Sequence, residues 1–294
     1  MFEGTYTALV TPFRDGEIDE PALKALIADQ LAAGVDGLVP CGSTGESATM
    51  DHAEHERVIE MTVAAVEGRC KVIAGTGSNN TREACKLTAF AARAGADAAL
   101  LISPYYNKPT QQGHIDHYRA VAEAADLPLI VYNIPGRTGV NMLPDTIAAM
   151  AESTNIVGVK EASGDLDQVS RIIAATDDDF EVLSGDDSLT LPMMAVGASG
   201  VISVTSNLVP ARFAEMVSAA AGGDFVTARA IHHELLPLMG ALFCETNPIP
   251  IKAAMAMAGL AGGMTDEVRL PLTPVTPASR SLLETALRNS GVID

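Results

Sequence analysis

The sequence is poor in aromatic residues and contains no tryptophan. Tyrosine and phenylalanine together make up 4% of its 294 residues, whereas hydrophobic residues of all kinds make up 48%. A core of this size must therefore be built mainly from aliphatic side chains and methionine. The length suits one large domain, and α/β barrels often run this long as a single unit.

Positive charge is also scarce. There are 19 Lys and Arg residues against 37 Asp and Glu, which gives a formal net charge of −18. Such a surface repels nucleic acids and anionic membranes, so we expect neither as a partner. An anionic substrate would need local positive charge to overcome this field. The absence of a basic leader, a long apolar run and a lipidation motif predicts a cytoplasmic protein.

The sequence offers little to a metal or a nucleotide cofactor. Its four cysteines are widely spaced without a CxxC pair, which predicts small buried residues in a reducing compartment. The six histidines fall in three close pairs, but no third ligand has a suitable spacing and HExxH is absent. The dinucleotide, phosphate-loop and nucleophile-elbow motifs are absent as well. We therefore expect no metal and no cofactor.

Short apolar runs alternate with Ala- and Leu-rich helical stretches along most of the chain. The runs are continuously apolar, as in a parallel sheet that is covered on both faces. Eight βα units predict a (β/α)₈ TIM barrel; a doubly wound sheet is the alternative, but no GxGxxG follows the first strand. The predicted strands are Thr5–Pro12, Gly37–Pro40, Lys71–Gly75, Ala98–Ser103, Leu129–Ile134, Ile156–Lys160, Glu181–Ser184 and Gly200–Val204.

From about Asp224 onward the pattern is helical only. The predicted helices are Asp224–Phe243, Pro248–Gly259 and Ala278–Asn289. No flexible or low-complexity linker precedes them. The sequence thus predicts a barrel domain at residues 1–223 and a C-terminal helical region at 224–294 that packs on the barrel.

Lys160 is the strongest candidate for chemistry. Active sites of such barrels lie at the C-terminal ends of the strands, and of six lysines only Lys160 ends an apolar strand. Burial there would lower the pKa of the amine and leave it free to attack a keto group, which is Schiff-base chemistry. The alternative is a structural lysine paired with a neighbouring carboxylate.

Two further strand ends carry polar groups. The second strand runs into a glycine-rich loop with the hydroxyls of Ser43 and Thr44, which suits a carboxylate or phosphate cradle, although such clusters are also ordinary loops. On the fifth strand, Tyr132 is either a core ring or a functional phenol. Arg137 follows in a Pro-Gly turn, where it is either solvated or a bidentate clamp for a carboxylate.

Tyr105 and Tyr106 follow the fourth strand. Neighbouring side chains diverge in direction, so one is expected to face the pocket and the other an interface.

These segments together resemble the dihydrodipicolinate synthase family, within the pyruvate aldolase superfamily that also contains N-acetylneuraminate lyase. The resemblance runs from Gly4 to about Gly259. It rests on Gly42–Glu46, Pro104–Asn107, Tyr132–Gly139, Val159–Ala162, Ser184–Asp187 and Asn247–Lys252.

The resemblance implies a reaction. Lys160 forms an imine with pyruvate, whose carboxylate is held by the loop of Ser43 and Thr44. Loss of a methyl proton gives an enamine that attacks the aldehyde of L-aspartate 4-semialdehyde, while Arg137 grips the carboxylate of that substrate. Cyclisation and hydrolysis release 4-hydroxy-tetrahydrodipicolinate, an intermediate toward diaminopimelate and lysine.

The resemblance also implies roles for further residues and an assembly. Tyr132, Thr44 and Tyr106 form a proton relay, with Tyr106 supplied by the neighbouring subunit of a tight dimer, and two dimers form a homotetramer. Gly185 and Ile202 contact substrate. In family members that lysine inhibits, the inhibitor lies at the dimer interface; the matching positions are Ser47, Ala48, His52, His55, Asn79, Glu83 and Tyr105.

Alternatives remain open for each of these functions. A related lyase could act on a sugar acid such as N-acetylneuraminate or 2-keto-3-deoxygluconate. A non-catalytic metabolite-binding protein could keep the same pocket. The matching interface positions could form an ordinary polar dimer contact.

Overall fold

Eight parallel strands close into a barrel in the computed structural model, which describes all 294 residues. The order around the barrel is β1-β10-β9-β8-β7-β6-β5-β4, and β2 pairs with β3 in a separate antiparallel hairpin. The closed barrel confirms the predicted fold and excludes the doubly wound sheet. The strands are β1 (Gly4–Ala8), β2 (Phe13–Arg14), β3 (Glu17–Ile18), β4 (Gly37–Val39), β5 (Lys71–Gly75), β6 (Ala98–Ile102), β7 (Leu129–Asn133), β8 (Ile156–Glu161), β9 (Glu181–Ser184) and β10 (Gly200–Ser203).

Helices lie between successive barrel strands and continue after the last one. They are α1 (Glu20–Ala33), α2 (His52–Val66), α3 (Thr81–Ala94), α4 (Gln111–Ala124), α5 (Pro135–Thr138), α6 (Pro144–Ala151), α7 (Leu166–Ala175), α8 (Thr190–Ala195), α9 (Pro210–Ala221), α10 (Phe225–Ala241), α11 (Ile249–Met257) and α12 (Pro277–Asn289). Local signals account for several boundaries. Asp51 and Glu54 form a reciprocal capping box at the start of α2, and Gly34 ends α1 in the left-handed conformation.

The structure differs from the sequence-based prediction in two details of the first barrel unit. The first strand ends at Ala8 rather than Pro12, because the Val10 N–H donates to the Asn207 side chain (3.2 Å) instead of to a neighbouring strand. The hairpin of β2 and β3 was not predicted, since two-residue strands are too short to carry a periodic pattern.

Apolar side chains form separate layers inside and outside the barrel wall. A cluster of 11 buried residues, among them Tyr132 and Ile202, fills the barrel interior. A cluster of 50 buried residues lies between the strands and the surrounding helices. The apolar interior therefore closes the barrel below the polar side chains at the C-terminal strand ends.

The C-terminal helices share the outer core of the barrel. Leu238 of α10, Ile251 of α11 and Leu287 of α12 belong to the same buried cluster as barrel residues such as Val159. The helices begin and end within two residues of the predicted bounds. The boundary between residues 223 and 224 stays a prediction, because the shared cluster neither requires nor excludes it. No helix has both the length and the hydropathy needed to cross a membrane.

Candidate active site

Lys160 and Tyr132 lie side by side on adjacent strands. The register of β7 and β8 pairs Tyr132 with Lys160 and Asn133 with Glu161. Because side chains alternate along a strand, the first pair faces the barrel interior and the second faces the helices. The Lys160 Nζ lies 4.4 Å from the centroid of the Tyr132 ring, within the range of a cation–π contact. Strand pairing thus places the amine directly beside the phenol.

A buried polar network behind these strands fixes their ends. The Glu161 carboxylate accepts hydrogen bonds from Asn133 Nδ2 (3.0 Å) and the Ser163 N–H (2.7 Å). Asn133 also accepts from the Met142 N–H (3.0 Å) and donates to Asn141 Oδ1 (2.8 Å). The network therefore joins both strands to the loop that follows Arg137, and it satisfies polar groups that would be costly to bury alone.

Lys160 is buried without a carboxylate partner. Lys160 is only 5% exposed and forms no ion pair. The second buried lysine, Lys252, is paired with Glu46. Burial lowers the pKa of Lys160 to about 7; the positive charge of Arg137 acts in the same direction, and Asp187 opposes it. A large share of the amine is therefore unprotonated near neutral pH, as attack on a keto group requires.

Asp187 is the carboxylate that raises the pKa of Lys160. It follows β9 and accepts hydrogen bonds from the Thr205 N–H (2.7 Å), the Thr205 hydroxyl (2.6 Å) and the Val204 N–H (3.2 Å). Burial raises the pKa of Asp187, and the bonds from Thr205 oppose that rise. These donors hold Oδ2 of the carboxylate in place, and Asp187 forms no ion pair with Lys160.

The glycine-rich loop after β4 presents backbone N–H donors that have no partner in the chain. The N–H groups of Gly45 and Glu46 bond to the carbonyls of Gly42 (3.1 Å) and Ser43 (3.2 Å) within the loop. The N–H groups of Ser43 and Thr44 have no partner in the chain. With the two hydroxyls beside them, they form a set of donors that suits a carboxylate.

Asn247, in the turn before α11, connects this loop to Arg137. Its Nδ2 donates to Thr44 Oγ1 (3.0 Å), and its carbonyl accepts from the Arg137 guanidinium (2.9 Å). Its Oδ1 is buried and has no partner. Arg137 lies in the single-turn helix α5 rather than in the predicted Pro-Gly turn, because Ile134 and Pro135 accept the N–H bonds that close a helical turn.

One cavity joins these groups to most of the predicted lysine site. On one side it is lined by Ser43, Tyr132, Arg137 and Asn247. Lys160 and Thr44 are buried and do not line the cavity. Each contacts a residue that does: Lys160 lies against the Tyr132 ring, and Thr44 accepts a hydrogen bond from Asn247. The other side is lined by six of the seven predicted lysine-site residues: Ser47, Ala48, His52, His55, Glu83 and Tyr105.

Hydrogen bonds tie the predicted lysine site together. His52 Nε2 lies 2.6 Å from Glu83 Oε1, and His55 Nε2 lies 2.7 Å from the Gly75 carbonyl. The bond from Ser78, followed by that from His52, lowers the pKa of Glu83. Asn79 does not line the cavity, but its Nδ2 donates to the Tyr105 carbonyl (3.2 Å).

Tyr106 is the one predicted relay member that the structure keeps apart from the others. It is 88% exposed, has a left-handed backbone (φ 69°) and does not line the cavity. Within a single chain, Tyr132 and Thr44 therefore lie at the site without it.

Gly185 lies against Lys160, and Ile202 lies in the barrel interior. Ile202 belongs to the interior cluster that contains Tyr132. A Cβ added to Gly185 would lie 3.1 Å from Lys160 Cε and 2.8 Å from Ala162 Cβ. The absence of a side chain at Gly185 thus leaves room for the side chain of Lys160.

The family model for the dihydrodipicolinate synthetase family matches residues 1–290 of the chain. The chain belongs to this family. It is 55% identical over 293 residues to the 4-hydroxy-tetrahydrodipicolinate synthase of Syntrophus aciditrophicus strain SB, with all of both chains covered. Members of the dihydrodipicolinate synthase family are aldolase-type lyases, which supports an enzyme over a metabolite-binding protein and the synthase reaction over a sugar-acid lyase.

Solved structures of the family superpose closely on this chain. The dihydrodipicolinate synthase from Aquifex aeolicus gives a TM-score of 0.97 at 49% identity, with 99% of each chain covered. The family structure from Cyanidioschyzon merolae, solved with lysine bound, gives a TM-score of 0.96 at 43% identity, with 99% of each chain covered.

Three groups at this site had no role predicted from the sequence: Asp187, Asn247, and the pair of Glu46 and Lys252. Asp187 could have been found by its position after a strand end, as Lys160 was. Asn247 and the buried pair of Glu46 and Lys252 could not, because each contact joins residues more than 200 positions apart. Only the folded chain brings them together.

The contact at Gly185 predicts a specific defect in Gly185→Ala. The added methyl would lie 2.8 Å from Ala162 Cβ and 3.1 Å from Lys160 Cε, so Ala162 must shift and the lysine stem must give by a few tenths of an ångström. A misplacement of about 1 Å at a reacting group can cost on the order of 10²-fold in rate, so this smaller shift should cost roughly tenfold. We expect imine formation with pyruvate to slow by this order, measured by quenching into borohydride and weighing the protein. Gly240→Ala is the control, since a Cβ there meets no atom within 4 Å. An unchanged rate in Gly185→Ala would mean that Gly185 does not set the position of the amine.

Proposed function

We propose that this chain is a 4-hydroxy-tetrahydrodipicolinate synthase that condenses pyruvate with L-aspartate 4-semialdehyde through an imine on Lys160. The observation that carries the proposal is the isolated amine of Lys160, whose pKa burial lowers to about 7, beside the Tyr132 ring. Relatives with the same name over the full chain length support the choice of reaction.

The first half-reaction uses the barrel interior and the glycine-rich loop. The Lys160 Nζ adds to the keto carbon of pyruvate, water leaves, and an imine forms. The free N–H groups and hydroxyls of Ser43 and Thr44 bind the pyruvate carboxylate. Loss of a proton from the methyl group then gives an enamine, and no metal or other cofactor enters this scheme.

The second half-reaction joins the two substrates. The enamine carbon attacks the aldehyde carbon of L-aspartate 4-semialdehyde, and its oxygen takes up a proton. Arg137, which the Asn247 carbonyl holds at the cavity, binds the carboxylate of this substrate and supplies the local positive charge that the acidic chain otherwise lacks. The amino group of the second substrate then attacks the imine carbon and closes the ring, the bond from this carbon to Lys160 Nζ breaks, and the product and the free amine result. Gly185 and Ile202 bound the space for the joined substrates.

The proton relay is proposed to run through Thr44, Tyr132 and Tyr106. Burial raises the pKa of Tyr132, so the phenol stays protonated and can pass a proton rather than hold a charge. Because Asn247 donates to Thr44 Oγ1, the Thr44 hydroxyl is free to donate onward.

Tyr106 is proposed to reach this relay from a neighbouring subunit. Its 88% exposure and its left-handed backbone fit a residue that is presented to another chain. Activity would then depend on a dimer, and a homotetramer of two dimers is proposed. A cytoplasmic location stays a prediction from the sequence.

The function is tested by a condensation assay combined with borohydride trapping. With pyruvate and borohydride, a reduced pyruvyl adduct is expected on Lys160, located by peptide mass spectrometry. The enzyme is expected to consume L-aspartate 4-semialdehyde and to release no pyruvate from N-acetylneuraminate or 2-keto-3-deoxygluconate.

Two variants separate the steps of that assay. Lys160→Arg keeps a long side chain that ends in nitrogen but cannot form the imine, so both trapping and turnover should be lost. Arg137→Ala should keep trapping and lose most of the use of L-aspartate 4-semialdehyde. An adduct on another lysine, or release of pyruvate from a sugar acid, would contradict the proposed reaction.

Lysine is proposed to inhibit through the second half of the cavity. Its ammonium would pair with Glu83, which Ser78 and His52 already orient, and its stem would lie along Tyr105 and the histidines. The family structure solved with lysine bound supports lysine as the ligand.

Titration of lysine against condensation activity tests the inhibitor site. Inhibition is expected at millimolar lysine, and Glu83→Ala should weaken it by roughly tenfold or more, because an ammonium loses its charged partner. Glu60→Ala is the matched control, since Glu60 is an exposed carboxylate of α2 outside the cavity lining. Equal inhibition of the Glu83→Ala variant and the unmodified enzyme would exclude this site.

A further inference from the structure

A second lysine is buried outside the groups proposed for chemistry. Lys252 of α11 places its Nζ 2.6 Å from Glu46 Oε1, and neither side chain has any exposed surface. Burial lowers the pKa of Lys252, and the charge of Glu46 opposes this change. An ion pair withdrawn so completely from water gains little net stability, because desolvation offsets its attraction. Stability alone therefore does not explain why the pair is there.

Glu46 stands at a strained point of the glycine-rich loop. Its backbone is left-handed (φ 55°), a conformation that residues other than glycine keep only where their surroundings hold them. Glu46 is the last residue of this loop, and the N–H groups of Gly45 and Glu46 bond back to the carbonyls of Gly42 and Ser43. The N–H groups of Ser43 and Thr44 have no partner in the chain. An anchor on Glu46 therefore holds the end of the turn that contains these two donors.

The Glu46 carboxylate is held from two directions by the C-terminal part of the chain. Its Oε1 meets Lys252, and its Oε2 accepts from the Arg269 N–H (3.1 Å). The ring of Phe13 contacts both cations, with its centroid 4.3 Å from Lys252 Nζ and 4.2 Å from the Arg269 guanidinium carbon. Arg269 also donates to the Thr49 carbonyl (3.2 Å). These contacts fix the end of the loop that follows the cradle.

We propose that the Glu46–Lys252 ion pair is a positioning device that keeps the Ser43 and Thr44 donors arranged for a carboxylate. It acts through the backbone of the loop and does not touch substrate. This inference rests on the proposed function, in which that carboxylate belongs to pyruvate.

The test compares single and double removal of the two charges. Glu46→Gln keeps an acceptor for the Arg269 N–H, and Lys252→Met keeps the length of the side chain. Each single variant strands a buried charge or donor and should lower Tm. The double variant Glu46→Gln/Lys252→Met has no stranded charge, so its Tm should recover toward that of the unmodified enzyme.

The decisive readout is the KM for pyruvate in the folded double variant. It is expected to stay raised by roughly tenfold, as for a lost charge-assisted bond, and the dissociation constant of the pyruvate imine should rise in parallel. The KM for L-aspartate 4-semialdehyde should stay close to its original value. Glu234→Gln is the control, because it breaks the exposed Arg212–Glu234 pair far along the chain and should change neither quantity.

Two results would overturn the proposal. A folded double variant with the original KM for pyruvate would show that the loop keeps its shape without the pair. A double variant that does not fold would make the pair a requirement of folding instead. Failure of the proposed function is visible separately, because the unmodified enzyme would then form no imine or condense no substrate.

Discussion

The removal of the Lys160 amine from water is the constraint on which the proposed chemistry depends. The barrel interior supplies the apolar surroundings, and strand register places the Tyr132 ring beside the amine. Two charged groups act on the pKa of Lys160 in opposite directions, since Asp187 raises it and Arg137 lowers it. Asp187 is bound by the backbone and hydroxyl of Thr205 and forms no ion pair with the amine. Burial consequently dominates, and the amine can act as a nucleophile near neutral pH.

The C-terminal helices complete the mouth of the barrel. Asn247 bonds to both Thr44 and Arg137, so one residue orients a group of each proposed substrate site. Lys252 reaches the same loop through Glu46. A region that adds no strand to the barrel thereby positions the groups proposed to bind both carboxylates. Arg137, which Asn247 holds at the cavity, supplies the local positive charge proposed to meet a substrate carboxylate on this acidic protein.

Much of the fold and the centre of the site follow from local sequence patterns. Continuous apolar runs predicted all eight barrel strands, because a parallel sheet buried on both faces leaves such runs in the sequence. The rule that active sites lie at strand ends made Lys160 a candidate, whereas Tyr132 could still be a core ring; the family resemblance implied the role of each. The supporting contacts could not be predicted in this way. Asn247 meets Thr44 across 203 positions and Lys252 meets Glu46 across 206, and no local pattern encodes such pairings. The role proposed for the exposed Tyr106 likewise cannot be seen within one chain, because it requires a neighbouring subunit.

The pH dependence of imine formation reports directly on the protonation of the Lys160 amine. Enzyme and pyruvate are mixed for a short time at each pH and quenched into borohydride at one fixed pH, and the adduct on Lys160 is quantified by mass. The unprotonated amine is the reacting form, so the rate should rise with pH and level off above a midpoint near the lowered pKa of about 7. A rate that keeps rising toward the ordinary lysine pKa of 10.5 would show that burial does not prepare this amine, and it would contradict the account.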